Sequence, residues 1–249
     1  MVILAGLFGL LWGSFLNVLI DRLPKGQNVL WGRSHCDYCK RILRWYELIP
    51  VLSFLLARGR CLRCKKQLSF QYPLIELVTA TGCMLIIPAV SASLPGGIAA
   101  FILFSAFLVI FVADYKYQII PDSMIVAVAA GALIQNAADF SVPQITARFV
   151  TGIITFILFY VLWLVTKRRG IGLGDVKLSP ALGFLLGYPD IIWALYTAFL
   201  TGALAGVILI LIGSKSMKSK IAFGPFLLLG AGSVLMYRNL FLSLWNYIF

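Results

Sequence analysis

Long apolar runs broken by short polar segments dominate this chain. Residues 1 to 20 carry no charge, 77 to 113 continue for thirty-seven positions without one, and 149 to 166 and 191 to 214 are equally bare. About twenty apolar residues cross the hydrocarbon core of a bilayer as a helix, and a helix satisfies its own backbone there. The pattern predicts spans near 1–20, 74–92, 97–113, 122–138, 147–166, 176–187, 190–213 and 221–240. The fold class is therefore an all-α polytopic membrane protein with about eight transmembrane helices. Segment 176–187 is the weakest: twelve residues are short for a bilayer, which predicts a tilted, half-buried or re-entrant helix. No internal repeat, heptad run or low-complexity segment is expected.

Composition strengthens this picture. Of 249 residues, 61% are apolar and 12% charged, with mean hydropathy +0.96. A soluble domain of this size cannot bury that much apolar surface, and a disordered tail or a secreted disulfide scaffold is excluded on the same ground. The net charge of +12 would suggest nucleic acid in a soluble chain. Here its distribution points to the membrane instead, and no nucleic-acid partner is expected. Eleven of the twenty-one Lys and Arg residues fall between 22 and 66. Cationic loops stay cytoplasmic, so this loop is placed inside and the N-terminus outside. That threading leaves nineteen cations inside and only Arg148 and Arg238 outside. The expected organisation is a first helix (1–20), a cytoplasmic loop (21–73) and a membrane-embedded helical domain (74–249). The first run lacks a basic leader and an A-x-A-like site, so it reads as a retained helix, not a cleaved signal.

The loop holds four of the five cysteines, as two C-x-x-C pairs: Cys36 with Cys39, and Cys61 with Cys64. Two such knuckles can form a tetrahedral four-sulfur cage for structural zinc, giving a small zinc-ribbon-like unit. The competing readings are two disulfides, disfavoured in a reducing cytoplasm, and a redox pair, which lacks a surrounding βαβ pattern. His35, beside Cys36, is the alternative ligand. Cys83 lies within an apolar run and reads as a small buried hydrophobe.

Ionisable groups at membrane depth are costly, and so are functional candidates. Asp114 closes the uncharged run that ends F-L-V-I-F-V-A, and Asp175 closes G-I-G-L-G-D. Both fall at the inner ends of predicted spans, where two carboxylates can share a proton and activate one water, as in aspartic proteases. The residues alone admit a second reading, in which both are interfacial charges capping helix ends. Asp122, after Pro121, reads as the N-terminal charge of its helix; Asp139 and Asp190 read as solvated acids of outer loops. Glu76 lies deeper than a cap requires and is a candidate for a cation or an amine. No H-E-x-x-H or G-x-S-x-G occurs, and the single His excludes histidine-clustered metal catalysis.

Several stretches carry a family resemblance over nearly the whole chain. G-S-F-L-N-V-L-I-D-R-L-P (13–24), the paired C-x-x-C, W-Y-E-L-I-P-V-L-S-F-L (45–55), R-G-R-C-L-R-C (58–64) and S-F-Q-Y-P-L-I-E-L-V-T-A (69–80) resemble the N-terminal half of type IV prepilin peptidases. D-Y-K-Y-Q-I-I-P-D (114–122), G-L-G-D-V-K-L (172–178) and A-F-G-P-F-L (222–227) resemble their peptidase half. The resemblance implies an inner-membrane enzyme that cuts the basic leader from prepilins or pseudopilins after a Gly and then methylates the new N-terminus with S-adenosylmethionine. It carries the catalytic role to Asp114 and Asp175, and makes Gly59 and Glu76 candidates for methyl transfer. Asp37 stands where many members have Pro. Anionic lipid headgroups are the expected partners of the cationic loop. Presenilin-like proteases also carry G-x-G-D, but they need a P-A-L motif near the C-terminus, where this chain has none; a non-catalytic zinc-ribbon scaffold is the remaining alternative.

Overall fold

The computed structural model describes residues 2–29, 31–36, 38–90, 93–137, 141–168, 170–213 and 222–248. Asp37 and Asp139 lie outside them, as do four of the nineteen cations placed inside, Arg169, Lys215, Lys218 and Lys220. The described chain is nearly all helical: α1 (Val2–Arg22), α2 (Leu52–Leu56), α3 (Gln71–Val90), α4 (Leu94–Tyr117), α5 (Asp122–Ala137), α6 (Val142–Val165), α7 (Leu173–Leu186), α8 (Asp190–Leu211) and α9 (Gly224–Ile248). Apart from the five-residue α2, these are the eight helices that the apolar pattern predicts. Among the described residues, four segments, 2–25, 94–117, 142–165 and 190–211, are long and apolar enough to cross a membrane.

The helices cluster into two compact units, Met1–Ser105 and Ala106–Phe249, with the division inside α4. In the first unit α1 packs on α3 through a stripe of small residues. A Cβ added at Gly13 would lie 2.7 Å from Glu76 Cα, and one at Gly9 2.6 Å from Ala80 Cα. Close backbone approach of this kind is how helices associate in lipid, where apolar side chains gain little by leaving the acyl chains.

In the second unit α7 packs against α5, α6, α8 and α9. This explains why its sequence signal is weak. Nine of its fourteen residues are buried, so its surroundings are protein, and it need not match the bilayer thickness. Pro180 sits inside it and cannot donate to the carbonyl of Val176. The hydroxyl of Ser179 donates to that carbonyl instead, at 2.9 Å.

Two expectations are corrected. Asp190 is not a solvated loop acid: it is 3% exposed at the start of α8, and Arg238 Nε donates to its Oδ2 at 2.8 Å. An internal repeat also exists. Residues 34–43 and 59–68 make the same hydrogen bonds at an offset of twenty-five: Cys36 N–H to Arg41 O and Leu43 N–H to Ser34 O, then Cys61 N–H to Lys66 O and Leu68 N–H to Gly59 O. Only Cys, Cys, Lys and Leu coincide between S-H-C-D-Y-C-K-R-I-L and G-R-C-L-R-C-K-K-Q-L, too few for the repeat to show as sequence similarity.

Candidate functional site

The two knuckles bring the cysteine sulfurs together. The four sulfurs of Cys36, Cys39, Cys61 and Cys64 lie within 4.8 Å of one another, with Cys36 and Cys64 Sγ 3.9 Å apart. A tetrahedral Zn(Cys)4 centre with bonds of about 2.3 Å has sulfur–sulfur edges of roughly 3.8 Å, so the cage fits a metal of that size. After each pair the chain turns back through a lysine with positive φ, Lys40 at 55° and Lys65 at 57°. The backbone N–H groups of Cys64 and Arg63 draw the Cys61 thiol down to about 6. Cys64 accepts the Lys66 N–H, yet burial and the three neighbouring thiols push it up to about 11. Four thiolates so close together require a bound cation to be ionised at once. His35 is exposed, with Nδ1 3.4 Å from the Arg33 carbonyl, and is not a member of the cluster. Around the cage, Arg41 pairs with Glu47. Burial opposes the charge on Glu47, but the Arg44 N–H and Arg41 hold its carboxyl below the usual range.

The second unit brings together the buried aspartates. Asp114 occupies the last turn of α4, 6% exposed, and its Oδ2 accepts the Gly224 N–H at 3.0 Å. Asp175 lies in the first turn of α7, 5% exposed, and its Oδ2 accepts the Gly172 N–H at 3.2 Å. The capping reading is thus correct for one oxygen of Asp175. The other is different: Oδ1 is buried and has no hydrogen-bond partner among the described residues. Gly224 lies against both Asp114 Oδ2 and Ile120, and Gly174, next to Asp175, lies against the same Ile120, so the two aspartates flank one residue although sixty-one positions separate them.

Ile120 explains how three elements meet here. A Cβ on Gly174 would lie 3.0 Å from its side chain and one on Gly224 3.2 Å from it, so both glycines are needed for α7 and α9 to close around Ile120. A Cβ on Gly224 would also lie 2.6 Å from Asp114 Oδ2. Sequence reasoning missed Ile120 and Gly224 as parts of the site. The Gly-Pro pair opening the last apolar run was the available signal, since Pro favours the first helical turn and Gly permits close approach. Asp122 is an exposed first-turn acid of α5, and Lys177 Nζ lies 2.9 Å from both its oxygens.

The methyl-transfer candidates have other partners. Glu76 is 7% exposed in α3; its Oε2 accepts the Val51 N–H at 2.7 Å, and Ser14 is a further hydrogen-bond partner. Gly59 has φ 65°, a conformation that favours glycine; it donates to Phe54 O and opens the second knuckle. Both residues are thus held by contacts within the chain.

A helical membrane protein with buried aspartates on α4 and α7 and a four-cysteine cluster able to hold a metal defines the class. Residues 7–90 match the bacterial peptidase A24 N-terminal domain, and residues 101–211 match the type IV leader peptidase family. Proteins named prepilin leader peptidase/N-methyltransferase are similar along almost the whole chain. The Bacillus subtilis protein is 32% identical over 93% of this chain and 91% of its own length. That of Pseudomonas putida is 31% identical over 91% and 87%, and that of Dickeya chrysanthemi 32% identical over 89% and 87%. No solved structure matches the chain. The chain belongs to the prepilin leader peptidase/N-methyltransferase family.

Proposed function

We propose that this protein cuts the leader from prepilins or pseudopilins after a Gly at the cytoplasmic membrane face, using Asp114 and Asp175, and then methylates the exposed N-terminus with S-adenosylmethionine as donor. The observation that carries the reading is the buried, uncompensated oxygen of Asp175 beside Asp114. Asp190 also has a buried oxygen without a partner among the described residues, but it faces the Arg238 guanidinium; Asp175 faces no cation there, and its free oxygen is an acceptor left for a water or a substrate amide. One carboxylate takes a proton from the attacking water while the other, protonated, donates to the scissile carbonyl. Collapse of the tetrahedral intermediate returns a proton to the departing amine, leaving the leader's carboxylate and a free N-terminus. The pair acts as one unit, and its protonation states belong to both residues.

The substrate's shape suits this placement. A prepilin carries a basic leader followed by an apolar helix, so the leader remains in the cytoplasm, the helix enters the bilayer, and the bond to be cut lies at the inner interface. The distribution of cations supports an N-terminus outside, with the loop and the aspartates inside. The division into 1–20, 21–73 and 74–249 follows from that threading. Zinc held by Cys36, Cys39, Cys61 and Cys64 folds the loop and takes no part in the chemistry. Methyl transfer belongs to the N-terminal half; the roles of Gly59 and Glu76 in it rest on the family resemblance. Anionic headgroups are the partners of the loop's cations.

Co-expression with a prepilin and intact-mass analysis of its N-terminus tests the reading. Loss of the leader plus the mass of one methyl group is expected. An uncut prepilin refutes the peptidase, and a cut but unmethylated one reduces the function to cleavage.

A further inference from the structure

Glu76 also fixes something outside the catalytic chemistry. The polar end of the α1–α3 hairpin is marked by Asp21, which accepts from the Tyr72 hydroxyl at 3.0 Å, and by Asn17, which donates to the Tyr72 carbonyl. Glu76 lies one turn further into α3, five residues beyond Gln71, or roughly 7.5 Å along the axis. Its carboxylate holds the N–H of Val51, the residue before α2. The start of α2 is therefore pinned to the membrane side of the hairpin's polar end. Phe54 of α2 also packs edge-on against Phe70, next to the start of α3, with centroids 6.2 Å apart.

This short helix, L-S-F-L-L, turns its apolar face outward. Leu52, Leu55 and Leu56, at i, i+3 and i+4, share one face and are 49%, 65% and 76% exposed. A single exposed leucine is unremarkable on a protein surface, but three on one face of a five-residue helix need a covering. Positions 22–66 carry eleven Lys and Arg against two acids, Asp37 and Glu47. Exposed apolar residues within a cation-rich loop match an anionic lipid interface, where amphipathic segments sink about 5–10 Å into the boundary between headgroups and acyl chains. That depth agrees with the offset Glu76 imposes. A basic leader is the worse occupant, because the same cations repel it.

We infer that α2 is an interfacial wedge: Leu52, Leu55 and Leu56 insert into the anionic leaflet from which α3 starts, held at depth by the Glu76–Val51 hydrogen bond. The wedge leaves the zinc loop anchored to the bilayer surface. The inference rests on the chain spanning a membrane and not on its catalysis, so leader cleavage by the same preparation separates the failure of one from that of the other.

The test uses the full, zinc-loaded chain with Cys83→Ala, spin-labelled at Leu55→Cys or, as a water-exposed control, Gln67→Cys. It is reconstituted in phosphatidylethanolamine and phosphatidylglycerol vesicles, with zinc content verifying the fold. The label at 55 should be relaxed several-fold more by oxygen than by a water-soluble nickel chelate, and the label at 67 should show the reverse. Adding Glu76→Leu should move the value at 55 towards that at 67. Nickel access at 55 equal to that at 67 overturns the wedge; so does shielding from both reagents, which means protein covers the face. An unchanged ratio at 55 in pure phosphatidylcholine overturns the assignment to anionic lipid.

Discussion

Asp175 at the head of α7 and Asp190 at the head of α8 are both almost fully buried, and each has one oxygen hydrogen-bonded and the other without a partner among the described residues. They differ in what faces the charge. Asp190 has the Arg238 guanidinium, whereas Asp175 has a backbone N–H and another aspartate. A buried acid neutralised by a cation holds helices together; one placed beside a second acid is costly to maintain and is a candidate for chemistry. Burial alone does not separate the two roles.

Exchanging the insults tests this contrast most strongly. Asp175→Asn should lower leader release at least about a hundredfold with no loss of thermal stability in detergent, because it removes a proton acceptor and relieves a repulsion. Arg238→Ala should do the opposite, costing about 3 kcal/mol of stability by stranding the Asp190 charge while sparing cleavage at permissive temperature. Cleavage assays and thermal melts on both variants decide it.

The cysteine cage carries the next largest effect. Purified protein should contain one zinc per chain. Replacing Cys36 and Cys61 together, one from each knuckle, should abolish metal binding and make the loop sensitive to protease. Metal analysis with limited proteolysis checks both; a metal-free loop that still resists protease removes the structural role. Glu76→Gln weakens the charge-assisted bond to Val51 and should lower methylation by about an order of magnitude through loss of positioning, with leader release intact. Mass spectrometry of the mature pilin N-terminus separates the two effects, and normal methylation takes Glu76 out of the account. The smallest effect is expected at Asp122. It is exposed and paired with Lys177 on the surface, so Asp122→Asn should change stability by less than about 1 kcal/mol and leave cleavage standing. A lost activity there would make Asp122 part of the site.

The same contrast explains what the sequence disclosed. The cage was legible because its ligands lie in two local C-x-x-C pairs, and the helices because lipid demands long apolar runs. Segment 176–187 was faint because α7 faces protein on its sides, so hydropathy has less to report. Asp190 was misread because its partner, Arg238, lies forty-eight positions away on the next helix, α9. Ile120 and Gly224 escaped because a wedge between two glycines shows only when α4, α7 and α9 are in place. Resemblance, not spacing, singled out Asp114 and Asp175 from the other acids.

Joint action of Asp114 and Asp175 on one water is tested most directly by residual leader release from a purified prepilin with Asp114→Asn, Asp175→Asn and the double variant, scored by mass spectrometry. Each single variant should retain less than about a tenth of wild-type activity, and the double should resemble each single, because either loss disables the whole pair. A single variant above that level, or a double whose loss is the product of the two single losses, would contradict a shared catalytic pair.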